Sequence, residues 1–318
     1  MPVPQNKLLT LLFMVRLCAI SKASVGDRSY IYNKCLNNCF AVNCTDTETF
    51  IAKQSFVLRL LRWSCPEECR YLCMWETVDA FRQDGTPVPQ FHGKWPFVRL
   101  LGIQEPASAT FSLLNAASHL MLFQYRAVVP PSTPMYIVWH GLALVSVNAW
   151  MWSIIFHARD TDFTELMDYM CALSVVLYNV FALCCRFHGT KQQWRPALSG
   201  FILMTVFAQH FYYMAFVKFD YGYNMMFNIT IGFFNILGWI AWSIKNRKHR
   251  YVWQCVATVI AINCLLLLEL LDFPPLLWTF DAHSLWHAGT APLGLLWWRF
   301  IINDGLHLKH EQELKKRI

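Results

Sequence analysis

Residues 135–157 read MYIVWHGLALVSVNAWMWSIIFH, a run without a single Asp, Glu, Lys or Arg. A helix needs about 20 apolar residues to cross the ~30 Å hydrocarbon core of a bilayer, so this run is long enough to span. Lipid offers the backbone no hydrogen-bond partners, and a helix is the form that satisfies it internally. Comparable runs lie at 105–124, 166–186, 196–217, 222–244, 251–271 and 283–303, which makes seven. The 318-residue chain is 56% hydrophobic and 16% aromatic but only 15% charged, against roughly a quarter charged in soluble domains. That composition outranks the two soluble domains that length alone would allow. The expected fold is an all-α membrane protein with seven transmembrane helices.

The chain ahead of these runs has a different character. Residues 1–23 carry Lys7, the apolar stretch Leu8 to Val15 and small residues at Ser21 and Ala23, the order of a secretory signal peptide whose core is too short to span. Its removal leaves the N-terminus in the lumen. Six of the twelve cysteines then fall close together, at Cys35, Cys39, Cys44, Cys65, Cys69 and Cys73. An even cluster behind a signal reads as disulfides. The spacings C-x3-C-x4-C and C-x3-C-x3-C argue against a zinc finger but leave the pairing open. Asn43-Cys44-Thr45 is a glycosylation sequon in the same stretch, whereas Asn228-Ile229-Thr230 falls inside an apolar run. The expected organisation is a signal peptide (1–23), a disulfide-rich N-terminal lumenal segment (24–100), a seven-helix domain (101–304) and a cytosolic tail (305–318).

Orientation follows from the connecting loops. After the first, third, fifth and seventh runs stand Arg126; Arg186, Lys191 and Arg195; Lys245, Arg247, Lys248 and Arg250; and Lys309, Lys315, Lys316 and Arg317, twelve in all, against Arg159 and Lys218 in the other connections. The basic loops mark the cytosolic face and put the C-terminus there. The net charge of +7 is thus accounted for by topology, and no nucleic-acid partner is implied. The lumenal connections are acidic, with Asp160, Asp162, Glu165, Asp220, Asp272 and Asp281. The C-terminal Lys315-Lys316-Arg317-Ile318 has the form of a dilysine retrieval signal, an address read by the COPI coat rather than an anchor.

Three histidines sit at lumenal helix ends: His157 closes the second run, and His283 and His287 open the seventh. The His283-x3-His287 spacing is one helical turn, so both rings can share one ion, with His157 as a third neutral-imidazole ligand. Three ligands leave a fourth position open. Ser153 lies one turn before His157 on the same helix face, and Asp168 begins the third run after a short connection. A carboxylate at that depth is costly unless it works, which marks Asp168 as a general base. His140 is too far along its helix to join the group, His119 lies toward the cytosolic end of its run, and His210 is a reserve ligand or an interhelical hydrogen-bonding group.

Ser153-x3-His157, Asp168 and His283-x3-His287 over seven spans resemble the signature shared by alkaline ceramidases, adiponectin receptors and GPI-remodelling proteins. The blocks Val88 to Phe97, Asn148 to Trp150 leading to Phe156 to Asp160, Asp220 to Asn224 and Leu270 to Pro275 narrow the likeness to the post-GPI-attachment GPI-phospholipase family. It covers residues 30–303. The resemblance implies hydrolysis of the sn-2 acyl ester of the GPI lipid on GPI-anchored proteins, with zinc held by His157, His283 and His287, Asp168 moving the proton and Ser153 hydrogen-bonding the oxyanion. It also implies a Golgi membrane protein, and the dilysine adds cycling through the endoplasmic reticulum. Rival expectations are a ceramidase-like amidase using the same site, and a receptor or transport factor without catalysis.

Overall fold

The computed structural model describes residues 24–189, 194–271 and 273–317. The signal peptide expected over 1–23, together with Lys191, Asp272 and Ile318, lies outside these residues. The described chain is helical, with three isolated antiparallel bridges in its loops. It divides into two compact units, one up to Phe97 and one from Val98 on.

The first unit holds α1 (Tyr30–Asn43), α2 (Thr47–Lys53), α3 (Phe56–Leu60) and α4 (Cys65–Gln83). Its cysteines pair as Cys35–Cys73, Cys39–Cys69 and Cys44–Cys65. Cysteines about one turn apart on each helix line up on one stripe, so two antiparallel helices can be stapled three times along a single seam. Closing loops of this size limits the unfolded chain by about 3–4 kcal/mol for one bridge, and nested bridges add less than their sum. All six sulfurs are consumed, which disposes of a cysteine metal site. Ser64 and Glu67 form a capping box at the start of α4. Asp46 caps α2, and hydrogen bonds from Thr49 hold its carboxyl below the usual range. Asp27 accepts from the His92 N–H at 2.9 Å, and Tyr32 meets the His92 ring at 3.0 Å. Burial pushes the Tyr32 phenol up to about 12.

The second unit holds α5 (Pro106–Ser118), α6 (Met121–Val128), α7 (Tyr136–Ala158), α8 (Asp162–His188), α9 (Trp194–Tyr212, extended by a π turn to Val217), α10 (Tyr221–Lys245), α11 (Val252–Leu265, tightening into a 3-10 turn to Leu270) and α12 (Ala282–Arg317). Among the described residues, four segments are long and apolar enough to cross a membrane: Tyr136–Ala158, Asp162–His188, Trp194–Val217 and Tyr221–Lys245. The other three runs fall short for separate reasons. The run at 105–124 is not one helix but two, parted at His119–Leu120, and its inner face carries Ser108, Ser112, Asn115 and Ser118. The apolar part of α11 is short. In α12 the polar and aromatic residues His283, Trp286 and His287 dilute the hydropathy of its first turns. That helix also runs past 303 to Arg317, because the last turns are built from strong helix formers such as Glu313, Leu314 and Lys315.

A cluster of buried hydrophobic residues occupies one end of this unit. Trp139, Trp239, Trp242 and Trp298, all within 2% of full burial, pack with Tyr125, Ala182, Val252 and Phe300. These residues come from the start of α7 and α11, the end of α6, α8 and α10, and the middle of α12. Asp304, fully buried there, takes a bidentate pair from Arg186 (Nε and Nη2, both 2.9 Å) and a 2.8 Å bond from the Tyr251 hydroxyl. The opposite end, where α7 finishes and α5, α8 and α12 begin, is left for polar residues.

Candidate metal centre

The phase of α12 decides where two of the histidines point. Asp281 and Ser284 cap the helix reciprocally: the Ser284 N–H donates to Asp281 Oδ1 at 2.8 Å, and the Asp281 N–H donates to Ser284 Oγ at 2.9 Å. His283 and His287 therefore start from a fixed turn. Close contact with α5 sets how near they come to the rest of the site. A Cβ on Gly294 would collide with Ser118, so glycine lets the two helices approach, and Asn115 Nδ2 then donates to the His287 carbonyl at 2.8 Å.

His157 arrives from the last turn of α7. Its carbonyl and that of Ala158 lack partners within their own helix; the Glu105 N–H bonds the first at 2.9 Å and the Gln104 N–H the second at 3.0 Å. This junction also delivers the Glu105 side chain, whose Oε2 lies 2.7 Å from His157 Nδ1, with both residues buried. Pro106 at the first position of α5 has no N–H to satisfy, which suits a helix beginning in a buried corner.

The three rings converge on one point. Nε2 to Nε2 distances are 3.2 Å for His157 and His287, 3.4 Å for His157 and His283, and 3.0 Å for His283 and His287. A neutral imidazole has one proton or one lone pair at Nε2, so a triangle of mutual hydrogen bonds cannot be made. Bonds of ~2.0–2.1 Å at tetrahedral angles give N···N separations of about 3.3 Å. The triangle matches that spacing, and the residues present could hold an ion of zinc's size. The carboxylate behind His157 is the usual partner of a ligating imidazole, fixing the tautomer that leaves Nε2 free for the ion. His287 is instead held by aromatic edges, with Trp150 at 5.6 Å and Trp286 at 4.9 Å between ring centroids.

Ser153 is buried one turn from His157, its hydroxyl 3.0 Å from that of Ser112 on α5. Asp168 is half-buried near the start of α8, a helix whose first turn is fixed by reciprocal hydrogen bonds between Thr161 and Thr164. Three other histidines are engaged elsewhere: His210 with Asn224 Oδ1 at 3.1 Å, His119 with the Trp298 indole at 3.2 Å, and His140 with the Tyr136 carbonyl at 2.8 Å. Asn43 is exposed at the end of α1, and Asn228 is half-buried within α10. Sequence reasoning missed Glu105, Ser112 and Asn115. Their signal was a polar stripe at helical spacing inside an apolar run, headed by a carboxylate and a proline.

The family model described as the Per1-like family matches residues 55–305. The chain is 46% identical over 304 residues to the zebrafish (Danio rerio) protein named GPI-specific phospholipase A2-like PGAP3, covering 93% of this chain and 95% of the relative. The Homo sapiens protein of the same name is 43% identical over 312 residues, covering 97% and 98%. The Drosophila melanogaster protein named Post-GPI attachment to proteins factor 3 is 40% identical over 288 residues, with 88% of each chain covered. No solved structure matches the chain. Matches over most of the length of both partners leave one assignment: the chain belongs to the Per1-like family.

Proposed function

We propose that this protein is a GPI-specific phospholipase that removes the sn-2 acyl chain from the GPI lipid of GPI-anchored proteins. The observation that carries the proposal is the triangle of His157, His283 and His287 Nε2 atoms, backed by Glu105, in a chain 43–47% identical to vertebrate proteins named for this activity. An ion bound there supplies Lewis acidity toward the ester carbonyl and makes water more acidic. His157, His283 and His287 would hold it, with zinc the expected metal, and Glu105 would keep His157 in its ligating tautomer.

Asp168 takes the proton of the attacking water and returns it to the departing lyso-lipid oxygen, while the Ser153 hydroxyl hydrogen-bonds the oxyanion. The water oxygen first adds to the acyl carbon, the ester C–O bond then breaks as the proton reaches the lyso-lipid oxygen, and a fatty acid and a lyso-GPI leave. A serine nucleophile is disfavoured because the nearby histidines are needed as ligands. Seven spans, a cleaved signal over 1–23, a glycosylated lumenal segment over 24–100, a hydrolase domain over 101–304 and a cytosolic tail over 305–318 complete the proposal. The site then opens to the lumenal leaflet of a Golgi membrane, and the dilysine at Lys315 and Lys316 returns escaped molecules through the COPI coat to the endoplasmic reticulum.

The test is mass spectrometry of GPI anchors from cells lacking the protein, rescued with wild type or with His283→Ala. Wild type restores sn-2 deacylation and the variant does not. Accumulated ceramide with unchanged GPI lipids would favour the amidase, and full rescue by His283→Ala would favour a role without catalysis.

A further inference from the structure

The packed end of the second unit carries a feature that the deacylase chemistry does not use. A groove of about 790 Å³ opens between the end of α10 and the start of α11. Its mouth is formed by Arg247 and Arg250, and its walls by Ile244, Trp253, Val256 and Ile260. No acidic residue lines it. Arg247 and Arg250 are exposed, and neither is paired with a carboxylate among the described residues; Arg186, by contrast, is bound to Asp304.

The loop between the two helices is fixed, which distinguishes the groove from a flexible basic tail. Arg247, His249 and Val252 each donate a backbone N–H three residues back. Asn246 Nδ2 bonds the Trp242 carbonyl at 2.8 Å, and the His249 ring lies against His307 at 4.2 Å between centroids. Below the two guanidinium groups the lining is apolar except for Ser243, whose hydroxyl turns to Cys255 Sγ at 3.5 Å, and from Trp253 to Ile260 it descends about 10 Å along α11. Trp253 is 60% exposed at the level of the charges, where indoles favour the membrane interface.

We infer that this groove binds an anionic glycerophospholipid of the leaflet at that end, its phosphate between Arg247 and Arg250 and an acyl chain along Ile244 and Ile260. Guanidinium groups suit a phosphate because they present paired donors in a plane. A soluble phosphate ester would use the mouth but leave the apolar walls idle, so the occupant is a lipid. Only the name of that leaflet, cytosolic, rests on the orientation proposed above; the selectivity does not.

Native mass spectrometry of the full-length protein, purified in detergent and offered equal amounts of dioleoylphosphatidylserine and dioleoylphosphatidylcholine, tests the inference without any activity measurement. Wild type retains the serine lipid in preference. R247Q/R250Q loses two charge-assisted contacts, and retention falls by about tenfold or more. I260W, which fills the groove and leaves every charge in place, loses it as well. K245Q/K248Q, which removes equal charge outside the groove lining, keeps most of it. Equal retention of the two lipids by wild type would overturn the inference. So would a loss in K245Q/K248Q as large as in R247Q/R250Q, unchanged binding in I260W, or displacement of the lipid by glycerophosphoserine alone. Should R247Q/R250Q fail to fold, the wild-type preference and I260W still decide.

Discussion

Glu105 and His157 are 52 residues apart in sequence, yet the carboxylate Oε2 lies 2.7 Å from Nδ1 in a buried corner. The contact is made twice over, because the Glu105 N–H also bonds the His157 carbonyl at 2.9 Å. A proposed ligand and the carboxylate that would orient it are therefore placed by one backbone junction. Glu105→Ala is expected to lower zinc affinity and deacylation by about 10- to 100-fold, the usual effect of losing such a partner. Glu105→Gln keeps an acceptor and should lose less. Wild-type zinc affinity in Glu105→Ala, measured by competition with a chelator, would remove Glu105 from the site.

The three histidines should behave as one unit. His157→Ala, His283→Ala and His287→Ala each open a ligand position and are expected to abolish bound zinc and to drop activity to background. Asp168→Asn separates proton transfer from metal binding: zinc stays, and turnover falls by about 10²- to 10⁴-fold. Ser153→Ala should be milder than Asp168→Asn. Metal content by elemental analysis, read beside anchor lipid profiles, checks the whole series. Full zinc occupancy in any single histidine variant would break the triad.

Much of this was legible in sequence because helices impose a simple geometry. One-turn spacing brings His283 onto the stripe of His287, and the run ending at His157 puts that ring at a helix end. The disulfide ladder used the same spacing on α1 and α4, but the order of pairing needed the antiparallel packing that only tertiary structure supplies. Glu105 was hidden for a related reason, since a residue at a helix start has no periodic signature of its own. The break at His119–Leu120 divides what hydropathy reads as one run. Arg186 was counted as an orienting loop charge, whereas its guanidinium turns inward to Asp304. Hydropathy averages over a helix, so it registers neither a cap nor the direction of one side chain.

That inward pair makes a stability prediction independent of catalysis. Asp304 is fully buried and accepts from Arg186 and Tyr251. Removing one partner leaves an uncompensated buried charge, so Asp304→Leu is expected to cost about 3–5 kcal/mol. Replacing both charges, as in Arg186→Met with Asp304→Leu, removes the orphan as well as the bond and should recover much of the loss. Thermal unfolding in detergent gives the comparison. Additive losses in the double variant would show that the pair is not the source of the effect.

The cap of α12 offers a way to disturb the candidate metal centre without touching a proposed ligand. Asp281 accepts the Ser284 N–H at 2.8 Å and receives the Ser284 hydroxyl on its carbonyl at 2.9 Å, and His283 and His287 lie on the turns that follow. Losing an N-cap side chain typically costs about 1 kcal/mol, whereas Asn and Ser serve almost as well as Asp. Fraying the first turn moves His283 before His287, because His287 is also tied to α5 through Asn115 Nδ2. Asp281→Ala is therefore expected to weaken zinc binding by about fivefold, the factor that corresponds to that cost, while Asp281→Asn and Asp281→Ser stay near wild type. A charge effect would give a different order, since neither Asn nor Ser carries the negative charge that attracts a cation. If all three variants lose zinc equally, Asp281 acts by its charge on the ion; if only Asp281→Ala does, it acts by holding the helix start.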